Sequence, residues 1–242
     1  ADVAVVDLAP AVEETRAAIE RIGRRSVAAV FDIADPAAVA KGVAAIRAAL
    51  GDVDVLVNNA GIVNNIAPLA KMTPEAWDRE LAVNLSGAFH MIQALIGPMV
   101  VKGFGRIINF SSVAATGGLF HQAAYAASKA GVIGLTQTVT LEHARHGITC
   151  NAILPGLIGT ELVKAMPAEI RDRAIAATPA RRLGEVREVG YLVAFLASDR
   201  AGFVNGAEIR IDGGSRLNTG ALGSRKELRG EPRSGTHEEG GC

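Results

Sequence analysis

The sequence predicts an α/β fold, a doubly wound parallel sheet with helices on both faces. Three observations predict it. Short Val- and Ile-rich runs alternate with longer helical stretches, the order that builds parallel strands through crossover helices. The strand runs, such as VLVNN and RIINF, are apolar at consecutive positions rather than at every second one, so both faces of the sheet are covered. Helix starts carry their own chemistry: Pro36 and Pro74 stand in first turns, where a missing N–H costs nothing.

The elements follow in order. Residues 2–7 form an apolar strand ending at Asp7. Residues 11–22 are helical, with Glu13, Glu14, Arg16, Glu20 and Arg21 on the polar side. A second strand spans 26–31, a helix 36–50 and a third strand 53–57. Thr73 caps the next helix, with Glu75 in its first turn. Further elements are a strand at 106–110, a long helix at 122–143, a strand at 148–154, a helix at 185–196 and a short strand at 208–211. No linker divides residues 1–215, which read as one domain. Residues 216–242 carry almost no large apolar side chain and are expected to be disordered, because they cannot offset their ordering entropy.

Composition narrows the function. Lys+Arg and Asp+Glu both number 25 and aromatics are 4%, so the basic field and stacking surface of a nucleic-acid binder are missing. Cys150 and Cys242 build no disulfide framework, which points to the cytoplasm; no secretory leader is visible. The uncharged run 83–101 contains Asn84, Ser86, His90, Gln93 and Pro98, so it reads as a packed helix rather than a membrane span. His143 and His146 lack a third partner, so no metal site is expected.

Four features carry chemistry. Asp7 at a strand end suits the ribose hydroxyls of a dinucleotide and repels a 2′-phosphate. Asn58, Asn59, Ala60 and Gly61 follow a strand, where small residues admit close approach of a flat ligand. Tyr125 and Lys129 are four apart and share a helix face, and an ammonium beside a phenol favours the phenolate. Ser112 ends a strand thirteen residues before Tyr125 and is placed to donate to the oxygen that the phenol protonates.

The order and spacing of NNAG at 58–61, Asn84 in AVNLSGAF, Ser112 in INFSSVAA, YAASK at 125–129, Pro155-Gly156 with Thr160, and IDGG at 211–214 resemble the short-chain dehydrogenase/reductase family, in its 3-oxoacyl-carrier-protein reductase branch. The resemblance implies a Rossmann-like sheet and a homotetramer. It implies hydride transfer between NAD(H), rather than NADP(H), and a secondary alcohol or ketone, possibly as a 3-oxoacyl thioester. It makes Tyr125 the general acid and base, Ser112 the holder of the substrate oxygen, and Lys129 the ribose ligand that lowers the Tyr125 pKa. Asn84 would hold a water linking Lys129 to solvent. Asp32 would reach the adenine amino group, with Ile33 beside the ring; Asn59, Ala60 and Gly61 would line the adenosine side. Pro155, Gly156, Ile158 and Thr160 would follow the nicotinamide and pyrophosphate.

One departure stands out. The family opens with a strand and a Gly-rich turn that binds the pyrophosphate, whereas this chain begins at what matches the second strand, so a strand–turn–helix of about 30 residues is expected to be missing. Two outcomes are expected for the sheet: a slot, or a slide of strand 2–7 onto strand 53–57. Two functional readings follow, an active oxidoreductase or a binding module that kept the fold and lost productive cofactor binding.

Overall fold

A computed structural model describes residues 1–217; the expected disorder beyond residue 217 lies outside them. Among the described residues six strands and nine α-helices follow one another: β1 (Val3–Asp7), α1 (Val12–Arg21), β2 (Ser26–Val30), α2 (Pro36–Leu50), β3 (Val55–Asn58), α3 (Pro74–Leu81), α4 (Gly87–Lys102), β4 (Gly105–Phe110), α5 (Ala114–Gly117), α6 (Ala123–His143), β5 (Ile148–Pro155), α7 (Glu161–Lys164), α8 (Ala168–Ala177), α9 (Val186–Leu196) and β6 (Glu208–Ile211). All pairings are parallel. β3-β4-β5-β6 form one sheet and β1-β2 a second. The slot is therefore what forms; β1 keeps its partner β2 and does not slide onto β3.

The slot has a volume of about 620 Å³ and is walled by Val3, Ala4 and Val6 of β1 and by Val55, Leu56 and Val57 of β3. It leaves one backbone edge of each strand without a ladder partner. α2 bridges the two sheets, packing on β1, β2 and α4. Val39 and Val43 of α2 share a core with Leu56, Met91, Ile92, Leu95, Met99 and Ile107. Adjacent residues of β4 serve opposite faces: Ile107 joins that core, while Ile108 packs with Ile153 and Leu196 on the other side. β4 and β5 are buried almost end to end, as central strands covered on both faces must be.

Local chemistry sets the helix starts as expected. The Asp35 carboxylate accepts from the N–H of Ala37 and Ala38, and the Thr73 hydroxyl from Ala76. α3 runs through a π-helical turn at Ala82–Ser86 into α4. The combined helix Pro74–Lys102 is long and apolar enough to cross a membrane by composition alone, yet Met91, Ile92, Leu95 and Met99 are buried against the sheet layer. Three short helices were not expected: Ala114–Gly117 folds into α5, Glu161–Lys164 into α7 and Ala168–Ala177 into α8.

Candidate active site

The C-terminal ends of β3, β4 and β5 converge on a cleft of about 200 Å³, the end of a parallel sheet where ligands bind. Each strand ends in its motif because the apolar run stops where the chain must turn. Asn58 closes β3 and donates to Asn109 Oδ1 of β4 at 2.8 Å; Asn109, wholly buried, donates in turn to Thr136 of α6 at 2.9 Å. This polar ladder fixes β3, β4 and α6 in register.

The cleft gathers Ser112, Tyr125 and Lys129, with Asn59, Gly61, Pro155 and Gly156 at its walls. Tyr125 and Lys129 project from one face of α6, the Lys129 ammonium 5.7 Å from the centre of the phenol ring. Lys129 is buried, and its Nζ donates to the Phe110 carbonyl at 2.8 Å; Ser111 holds the same turn of α6 by donating to Lys129 O at 2.7 Å. Burial lowers the Lys129 pKa to about 8.

The expected lowering of the Tyr125 pKa by Lys129 is corrected here. Burial pushes the Tyr125 phenol above its ordinary value; a hydrogen bond with Ser112 pulls it down, and the carboxylate of Glu80 raises it. Desolvation penalises the phenolate and outweighs a pairing that Lys129, engaged with Phe110, does not make with the phenol oxygen.

Asn84 is also placed differently. It stands in the π turn, buried, behind the cleft wall rather than on it. Its Oδ1 accepts from Ile62 N–H at 2.7 Å, and its Nδ2 donates to Ile62 O and Ser128 Oγ at 2.9 and 3.2 Å. The amide is thus committed to protein groups, not free to order a water through its N–H.

Some of the remaining expected residues line the cleft or the slot, and others lie on neither. Asp7, Ile33 and Ala60 line the slot, and Asn59 borders both. Asp7 is exposed, and its Oδ1 accepts from Ala9 N–H at 2.9 Å, closing its own turn. Asp32 accepts from Ala34 N–H at 2.8 Å and pairs with Arg79 at 3.0 Å. These contacts hold its carboxyl below the ordinary range. Ile158 lies on neither lining; it bridges Gly184. Thr160 caps α7, accepting from Val163 N–H at 3.4 Å. Gly156 has a firm reason: a Cβ there would meet Asp212 Cα at 2.8 Å. Asp212 in turn closes the IDGG turn by accepting from Gly214 N–H at 2.9 Å. Arg182 is paired with Glu188 through two 2.7 Å bonds.

Sequence reasoning missed Ile62, Val63 and Phe110 on the cleft wall, and Glu80 beneath it. Glu80 had one signal: it precedes Asn84 by four residues, so both face the same side of one helix.

The nicotinamide end of a dinucleotide fits these residues. Gly61 leaves a cradle that a Cβ would fill, at 3.2 Å from both Asn84 Oδ1 and Lys129 Nζ, and a buried amine stands beside it. The other end is different: between the ends of β1 and β3 the described residues place the slot, with no Gly-rich turn.

A parallel α/β sheet with Ser, Tyr and Lys side chains converging at its C-terminal edge defines a Rossmann-fold oxidoreductase. A family model described as enoyl-(acyl carrier protein) reductase matches residues 1–216, and the chain belongs to the short-chain dehydrogenase/reductase family, in its 3-oxoacyl-carrier-protein reductase-like branch. It is 47% identical over 185 residues to an acetoacetyl-CoA reductase of Rhizobium meliloti (strain 1021), covering 76% of each chain. It is 38% identical over 210 residues to the 3-oxoacyl-acyl-carrier-protein reductase FabG of Escherichia coli (strain K12), covering 87% of this chain and 86% of that one. Among solved structures, a gluconate 5-dehydrogenase from Burkholderia cenocepacia J2315 in complex with NADP and tartrate superposes with a TM-score of 0.83 at 36% identity, covering 89% of this chain and 85% of that one. The expectation of NAD over NADP gains no support from these relatives.

Proposed function

We propose that this protein reduces a short 3-oxoacyl thioester to the 3-hydroxyacyl thioester with NADP(H). The observation that carries the reading is the convergence of the Ser112 and Tyr125 side chains on one cleft that also holds the Lys129 amine. The substrate class rests on the acetoacetyl-CoA and 3-oxoacyl-carrier-protein reductases that the chain resembles. The cofactor form rests on the NADP of the gluconate 5-dehydrogenase.

The bound nicotinamide supplies the hydride. Ser112 Oγ donates to the substrate carbonyl oxygen and orients it. Tyr125 Oη gives that oxygen its proton as the carbonyl becomes a hydroxyl. Burial keeps the phenol protonated, which suits the acid role in reduction. Lys129 Nζ stands ready for a ribose hydroxyl. Gly61 and Gly156 keep the walls free of side chains, and the Asn84 clamp on Ile62 fixes one wall.

Exposed apolar side chains on α4 (Phe89, Val101) and α6 (Leu141) support a homotetramer, and the free, buried Cys150 suits a reducing cytoplasm. A second reading is a module that kept the fold and lost productive cofactor binding. The test is reduction of acetoacetyl-CoA by the purified chain with NADPH, followed by nicotinamide absorbance. Turnover lost on Tyr125→Phe supports the first reading; a folded chain that neither binds NADPH productively nor turns over supports the second.

A further inference from the structure

Ser111 is a buried hydroxyl that the proposed reaction does not use, one residue before Ser112. The sheet sets its place. It follows the last residue of β4, and its N–H donates to Ile153 O of β5 at 2.9 Å, which carries the β4–β5 ladder past Phe110. Its Oγ leaves the sheet and donates to Lys129 O of α6 at 2.7 Å. The preceding residue takes the other end of the same lysine: Phe110 O accepts from Lys129 Nζ at 2.8 Å. Consecutive residues at the end of β4 thus hold both the backbone carbonyl and the amine of Lys129. A buried hydroxyl must find an acceptor in any case, and a nearby helix carbonyl would serve. The pairing with Phe110 gives this bond a further consequence. A lysine stem is long and flexible, so a bond at its tip alone leaves the amine to follow any shift of the helix. The Ser111 bond removes that shift. Nζ has little other room, since Lys129 is buried and a Cβ on Gly61 would stand 3.2 Å from it. Across the same turn, Ser128 Oγ donates to Tyr125 O at 2.8 Å and accepts from Asn84 Nδ2 at 3.2 Å. Ser128 ties the turn to the π-helical segment; Ser111 ties it to the sheet.

We propose that Ser111 is a positioning residue for the Lys129 amine, fixing the backbone end of that side chain so that Phe110 O can hold Nζ at the cleft wall beside Gly61. The inference deepens the proposed function, since a ribose hydroxyl as the target of the amine rests on that reading. Ser111 touches neither substrate nor cofactor in this role; it acts through Lys129.

Acetylation with limiting acetic anhydride reads the amine directly, without cofactor or substrate. Mass spectrometry of the peptides gives the labelling of Lys129 relative to Lys41, which is exposed on α2. Ser111→Ala removes the hydroxyl, and Ser111→Cys keeps nearly its volume with only a weak donor. Val139→Ala, a core truncation further along α6, lowers stability without touching Ser111. The expected result is a Lys129-to-Lys41 ratio raised roughly fivefold in Ser111→Ala, the equivalent of about 1 kcal/mol for one hydrogen bond. A smaller rise is expected in Ser111→Cys and none in Val139→Ala. An unmoved ratio in Ser111→Ala overturns the proposal. So does an equal rise in Val139→Ala, because the loosening is then general. If Ser111→Ala fails to fold, Ser111→Cys set against Val139→Ala decides. KM for NADPH keeps the two readings apart: a raised ratio with KM unchanged supports the positioning of the amine and counts against the ribose as its target.

Discussion

The Asn84 side chain grips the backbone of Ile62 at both ends, its Oδ1 taking the N–H at 2.7 Å and its Nδ2 reaching the C=O at 2.9 Å. An amide can satisfy a lone residue in this two-point way only if the helix offers it at the right height. The π turn at Ala82–Ser86 does so, in keeping with the habit of π turns to mark functional positions.

Asn84→Ala is expected to lower stability by about 1–3 kcal/mol, the worth of two or three hydrogen bonds. It is also expected to raise KM for the thioester more than it lowers kcat, since the Ile62 wall loosens while Tyr125 stays in place. Thermal melts and steady-state kinetics read the two effects.

Tyr125→Phe removes one oxygen. Turnover of acetoacetyl-CoA is expected to fall by ~10²–10⁴, with the melting temperature changed little because the ring keeps its packing. Activity within a few-fold of the parent would assign the proton to another group.

Lys129 sets a pH dependence of stability. Its folded pKa, about 8, lies below the ordinary 10.5, so between those values the unfolded chain binds a proton that the folded chain lacks. Stability contributed by Lys129 therefore rises with pH through that window, by at most roughly 3 kcal/mol. The Cys150 thiol, raised from 9.0 to about 12 by burial, works in the opposite sense above 9. The net rise is thus expected between pH 8 and 9, with a flattening beyond. Lys129→Met, melted across the same range, is expected to lose the rise and keep the decline.

Asp7→Ala is expected to raise kcat/KM for NADPH relative to NADH. Two like charges ~4 Å apart cost about 1 kcal/mol in water and about 4 kcal/mol at an effective dielectric of 20, and Asp7 is exposed. The lower end applies, a change of roughly fivefold. An unchanged ratio would place the 2′-phosphate away from β1.

The strands and the Ser112, Tyr125 and Lys129 cluster were legible because each is written locally: apolar runs that stop at small polar residues, and a four-residue spacing on a helix. The slot was legible too, as one of two expected outcomes for the sheet. What local spacing could not carry was environment. The Tyr125–Lys129 pair suggested a lowered phenol pKa, but burial among residues distant in sequence raises it. Asp32 looked free for a ligand, yet its partner Arg79 is 47 residues away. Glu80 acts on a loop 15 and 16 residues earlier, a relation that no helical periodicity encodes.

Without a shared ladder across the slot, the β1–α1–β2 unit is fastened to the four-stranded sheet chiefly through α2. Cooperativity in a folded chain is only as strong as the surfaces that join its parts. The two sheets should therefore open as separate units: amides of Val3–Asp7 and Ser26–Val30 exchange with solvent through a lower-energy opening than those of β4 and β5. Whatever binds between the sheets would make one cooperative body of two.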